Sequence, residues 1–183
     1  YGGDIRLANH RRFWLYIRES GAALRQYLVT ECQMNTQVNI PMDIRALSQT
    51  YERDGYIGGV PILNPESAAQ HRASMEAAEE QIGSLHYKSK AHTILTSPLL
   101  LATDPTVLDI VESMIGPDIL LYNVTYIIKE ANAPSHVSWH QDLTYWGLSH
   151  DDQVSMWLAL TVADDVSGCM RMLPGSHKHG RYD

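Results

Sequence analysis

Cysteine is scarce in this 183-residue chain, with only Cys32 and Cys169, and two thiols are too few for a disulfide framework. Long apolar runs are also missing. None approaches the roughly 18 residues of a membrane-spanning helix, and no stretch has the pattern of a signal peptide. Positive charge is in short supply: the formal net charge is −7 and no basic stripe stands out, so the electrostatic footprint of a nucleic-acid binder is absent. Internal repeats and low-complexity tracts are absent too. These gaps point to a soluble domain in a reducing compartment, the cytoplasm, with neither nucleic acid nor membrane as partner. The length suffices for one core. Oligomeric state is left open. Cys169 reads as a small buried hydrophobe rather than a nucleophile.

The first 41 residues differ in character from the rest. Arg6, Arg11, Arg12, Arg18 and Arg25 face only Asp4, Glu19 and Glu31, whereas acids dominate beyond Pro41. Met42-Asp43-Ile44-Arg45 then reads as a native start. The expectation is that residues 1–41 lie outside the domain, as non-native or disordered sequence, and that 42–183 form the N-terminal part of a larger domain. The competing reading is an amphipathic helix over 11–28 packed on that domain.

After Met42 the punctuation is clear. Ile44, Leu47 and Tyr51 share one helical face, which Asp54-Gly55 terminates ahead of a short strand at 56–60. Asn64 is placed to cap a second helix, with Pro65 in its first position, Glu66 in its first turn and Gly83 at its end. Asp104-Pro105 opens a third, with Val107, Leu108, Val111, Met114 and Ile115 as its buried stripe and Gly116-Pro117 as its stop. The period then changes to two. Residues 119–130 alternate Tyr122/Val124/Tyr126/Ile128 with Asn123/Thr125/Ile127/Lys129, and residues 154–163 alternate Val154/Met156/Leu158/Leu160/Val162 with Ser155/Trp157/Ala159/Thr161. Helices followed by short strands predict an α+β fold with helices packed outside a sheet. A double-stranded β-helix, the cupin-like jelly roll of about eight strands, satisfies this pattern. The strands present would make about half of one, an incomplete jelly roll with exposed sheet edges.

Chemistry concentrates in Trp139-His140-Gln141-Asp142-Leu143-Thr144-Tyr145-Trp146. In a strand, positions i and i+2 share a face, so His140 and Asp142 could grip one metal ion together. One His and one carboxylate are two-thirds of the facial triad that holds non-haem Fe(II) and leaves positions open. The plainer alternative is a structural His–Asp hydrogen bond. Such pairs also arise by chance, and the chain holds a second one in His150-Asp151-Asp152. Context separates them. Gly147-Leu148-Ser149 puts His150 and Asp152 in a surface turn, whereas Val137-Ser138-Trp139 and Leu143-Thr144-Tyr145 put His140 in a strand and its edge.

From about Ile44 onward the chain resembles the phytanoyl-CoA dioxygenase family of Fe(II)/2-oxoglutarate oxygenases. The resemblance rests on Ser138-Trp139-His140-Gln141-Asp142-Leu143-Thr144-Tyr145-Trp146-Gly147 and on Gly168-Cys169-Met170-Arg171-Met172-Leu173-Pro174-Gly175-Ser176-His177. Gly116-Pro117-Asp118-Ile119-Leu120-Leu121 and Asp54-Gly55-Tyr56 match as well, in the same order. The resemblance implies the jelly-roll core, Fe(II) held by His140, Asp142 and a distal His, and 2-oxoglutarate as cosubstrate. O₂ and a small organic substrate complete the reaction, and ascorbate can serve as reductant. The distal His and the Arg that pairs with 2-oxoglutarate are expected downstream of Asp183, so the chain alone is expected to be inactive. His177 and His179 are not taken as substitutes. Asp142, where related halogenases carry a small residue, implies hydroxylation.

For the cosubstrate pocket the resemblance implies Trp157, Thr125, Gln141 and a lysine before the third helix. Gapless counting from Gly116 favours Lys88 over Lys90. Each has a plainer reading: a core tryptophan for Trp157 and a solvated side chain for either lysine. Tyr145, Trp146 and His136 either border a substrate entrance or pack strand ends. Two other functions compete with the oxygenase. One is a non-catalytic or weakly metal-binding jelly-roll fragment; the other is a cupin-like metal enzyme that does not use 2-oxoglutarate.

Overall fold

A computed structural model describes residues 10–19 (as backbone), 42–134, 136–147 and 152–180. Strand β1 spans His10–Glu19, and helices α1 (Ile44–Asp54), α2 (Pro65–Ile82), α3 (Thr96–Ala102) and α4 (Pro105–Ile115) follow. Strand β2 (Ile119–Lys129), the single turn α5 (Leu143–Trp146) and strand β3 (Gln153–Ala159) complete the order, with 3₁₀ turns at Ala91–Thr93 and Ser176–His179. The fold is α+β. No helix among the described residues is long and apolar enough to cross a membrane.

The helix punctuation acts as the sequence predicts. Asp43 accepts a hydrogen bond from the Ala46 amide at 3.1 Å, and Gly55 closes α1 in the left-handed region at φ 87°. Asn64 accepts from the Ser67 amide at 2.8 Å at the start of α2. Asp104 accepts from the Thr106 and Val107 amides at the start of α4. In α4 the buried stripe is Val107, Ile110, Val111 and Ile115; Leu108 is only half-buried and Ile110 takes the inner position.

Several expectations are corrected. Residues 56–60 are not a strand, although Ile57 is buried. Gly58-Gly59 break the run, and Gly59 has φ 68°, outside the extended region. Helix α3 was not foreseen, because Leu99, Leu100 and Leu101 form an apolar run without helical periodicity. Strand β3 ends at Ala159 rather than continuing to 163. Beyond it Asp164 and Ser167 bond reciprocally, each side chain accepting the other's amide at 2.7 Å, which curls the chain into a turn. Cys169 is half-buried and lies 3.8 Å from the Asp165 carboxylate, so it is not a core residue. Asp152 is buried, not in a surface turn; His150 lies outside the described residues.

The sheet order is β2-β1-β3, with β1 antiparallel to both neighbours. Ten residues of the segment expected outside the domain thus form the middle strand. The run Phe13-Trp14-Leu15-Tyr16-Ile17 is aromatic and aliphatic, a composition that favours a strand over the alternative helix at 11–28. The rest of residues 1–41 lies outside the described residues.

Alternation sorts the two faces of the sheet. Val124, Tyr126 and Ile128 of β2 join Val154, Met156, Leu158 and Leu160 in the core, together with Tyr51, Met75 and the α4 stripe. Each such aliphatic side chain contributes about 1.5–3 kcal/mol by leaving water. Burial pushes the Tyr126 phenol up to about 12, partly countered by a hydrogen bond with Ser97. The opposite face carries Asn123, Thr125, Gln153, Ser155 and Trp157, all buried. Tyr122 departs from the expected alternation. The register slips between Tyr16 and Ile17, whose partners are Asn123 and Leu121, so Tyr122 is the extra residue of a bulge. It packs with Trp157 on the second face rather than with Val124. Bulges re-aim side chains in this way.

Candidate metal centre

His140 and Asp142 meet, but not on a strand. His140 lies in a loop, and Asp142 enters the α5 turn with right-handed helical angles, φ −58° and ψ −39°. Its carbonyl accepts from the Tyr145 amide at 3.0 Å. Leu143, buried beside it, draws the turn inward. The strand-like geometry expected for this segment is therefore replaced by a loop running into one helical turn. Convergence of the two side chains survives the change.

His140 Nε2 and Asp142 Oδ1 are 3.0 Å apart. Donors on adjacent corners of an octahedral metal with bonds of about 2.1 Å are about 3 Å apart, so the spacing fits one shared ion. The other ring nitrogen, Nδ1, donates to the Ser138 carbonyl at 2.7 Å. A backbone carbonyl can only accept, so the proton sits on Nδ1 and the lone pair of the neutral ring falls on Nε2, facing Asp142. A lone pair facing a carboxylate needs a positive charge shared by the two: a proton between them, or a metal bound to both from one side. Without metal the proton serves. The Asp142 carboxylate, by accepting the Nε2 proton, raises the His140 pKa above the ordinary imidazole value; burial opposes this and the Ser138 carbonyl adds to it.

The two side chains differ in exposure, 23% for His140 and 5% for Asp142. The histidine is thus the reachable member, and the carboxylate is sunk against β3. Asp142 Oδ2 accepts from the Ser155 hydroxyl at 2.8 Å, and Ser155 accepts in turn from the Gln153 amide at 3.4 Å. In the sequence Ser155 stands only as a polar member of the alternating run over 154–163. Its signal was available: a serine in a strand position flanked by the core residues Val154 and Met156.

The expected cosubstrate residues fall into two groups. Thr125 and Trp157 are both register partners of residue 14 of β1, so they occupy one row of the sheet, two strand spacings or about 10 Å apart. Trp157 is packed by Tyr122, Trp146, Met170 and Met172. Thr125 donates to the Lys88 carbonyl at 3.0 Å, so Lys88 meets this face through its backbone while its side chain is exposed. Lys90 places its ammonium 5.9 Å from the centre of the Tyr122 ring, which meets Trp146 edge to face at 5.2 Å. Gln141 donates to the Gly180 carbonyl at 3.0 Å and so ties the 3₁₀ turn to the His–Asp loop.

His177, among the described histidines, is engaged elsewhere. His177 bonds through Nε2 to the Glu52 carbonyl at 3.1 Å, and Gly175 donates to the Asp54 carbonyl at 2.6 Å, docking this turn on the end of α1. Among the described residues no three His, Cys, Asp or Glu side chains group to hold a metal. Tyr145 packs edge-on to His140 at 5.9 Å and is exposed, as are Trp139 and His136.

The family model described as phytanoyl-CoA dioxygenase (PhyH) matches residues 51–183. An ectoine dioxygenase of Streptomyces avermitilis is 25% identical over 148 residues, covering 71% of this chain and 50% of the relative. An L-proline trans-4-hydroxylase of Streptomyces griseoviridis is 26% identical over 80 residues, 42% of this chain and 30% of the relative. Phytanoyl-CoA dioxygenase 1 of Oryza sativa subsp. japonica is 38% identical over 55 residues, 30% of this chain and 20% of the relative. The chain spans at most half the length of these relatives. No solved structure matches. The match over residues 51–183 shows that the chain belongs to the phytanoyl-CoA dioxygenase family.

Proposed function

We propose that the chain is part of an Fe(II)/2-oxoglutarate-dependent dioxygenase that hydroxylates a small organic molecule, with His140 and Asp142 as two of the three protein ligands. The observation that carries this reading is the 3.0 Å approach of Nε2 to Oδ1 with Nδ1 already committed to Ser138. Bound iron would supply the activation of O₂ for oxidative decarboxylation of 2-oxoglutarate to succinate and hydroxylation of the substrate. The chain's own part is to hold and to exclude. Ser138 keeps the imidazole lone pair on Nε2, and the buried Asp142 presents one oxygen to the same point.

Tyr122, Trp146, Met170 and Met172 pack against Trp157 as an apolar wall beside the proposed cosubstrate pocket. Thr125 and Trp157 line the cosubstrate's side of that wall. Lys90, with its ammonium over Tyr122, is better placed than Lys88 to face a carboxylate there. Gln141 holds the loop through Gly180. β2 and β3 are two strands of a jelly roll, and a reducing cytoplasm keeps both the ferrous state and the Cys169 thiol. A carboxylate at Asp142 favours hydroxylation over halogen transfer.

The test is succinate production from 2-oxoglutarate with Fe(II), ascorbate and O₂, using this chain and a form extended to its relatives' length. The expected result is none from the short form and slow uncoupled turnover from the long one, lost in His140→Ala. No succinate from either would remove the oxygenase reading. A second reading, a weakly metal-binding fragment without catalysis, is favoured by the presence of only two converging donors among the described residues. It predicts metal uptake without turnover in both forms.

A further inference from the structure

We infer that Ser155 is a positioning residue for the metal centre: its hydroxyl fixes Asp142 as a one-oxygen ligand aimed at His140. This rests on the metal reading of His140 and Asp142. Ser155 is fully buried, in the middle of β3, between the core residues Val154 and Met156. A hydroxyl there costs free energy unless it is bonded. Its bonds have a definite direction. Gln153, itself buried, donates its amide N–H to Ser155 Oγ at 3.4 Å, and the ionised carboxylate can only accept. The Ser155 proton therefore points to Asp142 Oδ2, at 2.8 Å.

The consequence is a division of labour between the two carboxylate oxygens. Oδ2 is occupied from below by Ser155, and Oδ1 remains directed at His140 Nε2. Asp142 sits on a single helical turn preceded by a loop, whereas Ser155 sits on a strand paired along its length. The hydroxyl thus ties the Asp142 carboxylate to the sheet as well as to its own turn. It also disfavours chelation through both oxygens, which would consume a coordination position that the cosubstrate or O₂ requires. Loss of such supporting partners costs about 10–100-fold in metal affinity.

The discriminating pair is Ser155→Thr and Ser155→Val, which match in size and differ in the hydroxyl. Each is titrated with Co(II) and followed by visible absorbance, beside the unaltered chain, Ser155→Ala and His140→Ala; circular dichroism checks folding. The expected result is Co(II) bound by the unaltered chain and, within a few-fold, by Ser155→Thr. Binding should be about 10–100-fold weaker in Ser155→Val and Ser155→Ala and lost in His140→Ala. Equal affinity in the Thr and Val forms, or an affinity in Ser155→Ala within twofold of the unaltered chain, would overturn the role of Ser155 while leaving the metal site standing. No Co(II) uptake by the unaltered chain, or uptake unaffected by His140→Ala, would remove the metal site itself and this inference with it.

Discussion

The two faces of one sheet are built from adjacent residues and do opposite things. Val124, Tyr126 and Ile128 point into an apolar core beneath the helices, where most neighbours are apolar. Asn123 and Thr125, interleaved with them, are equally buried yet spend their side chains on hydrogen bonds, Asn123 accepting from the Lys90 amide at 2.6 Å and Thr125 donating to Lys88. β3 repeats the division with Met156 and Leu158 against Ser155 and Trp157. Burial alone therefore does not mark the stabilising face. Stability comes from the face whose burial is apolar, and chemistry from the face whose burial must be satisfied by specific partners.

That contrast can be broken from either side. The largest effect is expected on the helix-covered face: Tyr126→Ala should destabilise the fold by about 3–5 kcal/mol in urea unfolding, and metal affinity of the fraction that remains folded should change little. On the other face the order of effects reverses. Asp142→Ala should weaken Co(II) binding at least about 100-fold, more than the loss of a supporting partner does, as read by visible absorbance.

Acidity sharpens the same comparison. Because Asp142 raises the His140 pKa in the folded metal-free chain, the folded state holds that proton more tightly than the unfolded one. The pair's contribution to stability is fully present below the unfolded value near 6.5 and is lost as pH rises through the higher folded value. Metal must displace the same proton, so Co(II) affinity should rise across the window in which that stability falls. His140→Ala should flatten the stability profile, and opposite slopes of stability and affinity in the unaltered chain are the diagnostic. A smaller effect is expected at a helix end remote from the site: Asn64→Ala removes a cap and should cost about 1 kcal/mol by thermal unfolding, with Co(II) affinity unchanged.

Much of this was legible in the residues because local signals agreed with tertiary needs. Asp43, Asn64 and Asp104 cap the helices that their positions announce, and Gly55 and Gly83 close two of them. Period two in 119–130 and 154–160 separated the faces except at Tyr122, where a bulge depends on the partner strand and leaves no mark in the chain itself; Val162, expected on the core side, lies beyond β3 and is exposed. The His–Asp pair was visible as a pair, but its backbone was misread, since Trp139, Leu143 and Tyr145 have strand-like composition and yet enclose a helical turn. The 56–60 run was misread for the same reason. Ser155 did not stand out because a single serine in an alternating strand carries no mark of the carboxylate it bonds from a distant loop. Membership of β1 in the sheet was hidden by the charge contrast of residues 1–41, which speaks to surface character and not to strand pairing.

The most direct test of the shared metal centre is nitrogen NMR of the histidine rings in the metal-free and Zn(II)-loaded chain. His140 should show Nδ1 protonated throughout and Nε2 alone shifting as Zn(II) is added, with the shift abolished in Asp142→Ala. A response at Nδ1 of His140, or at His177 or His179 instead, would contradict it.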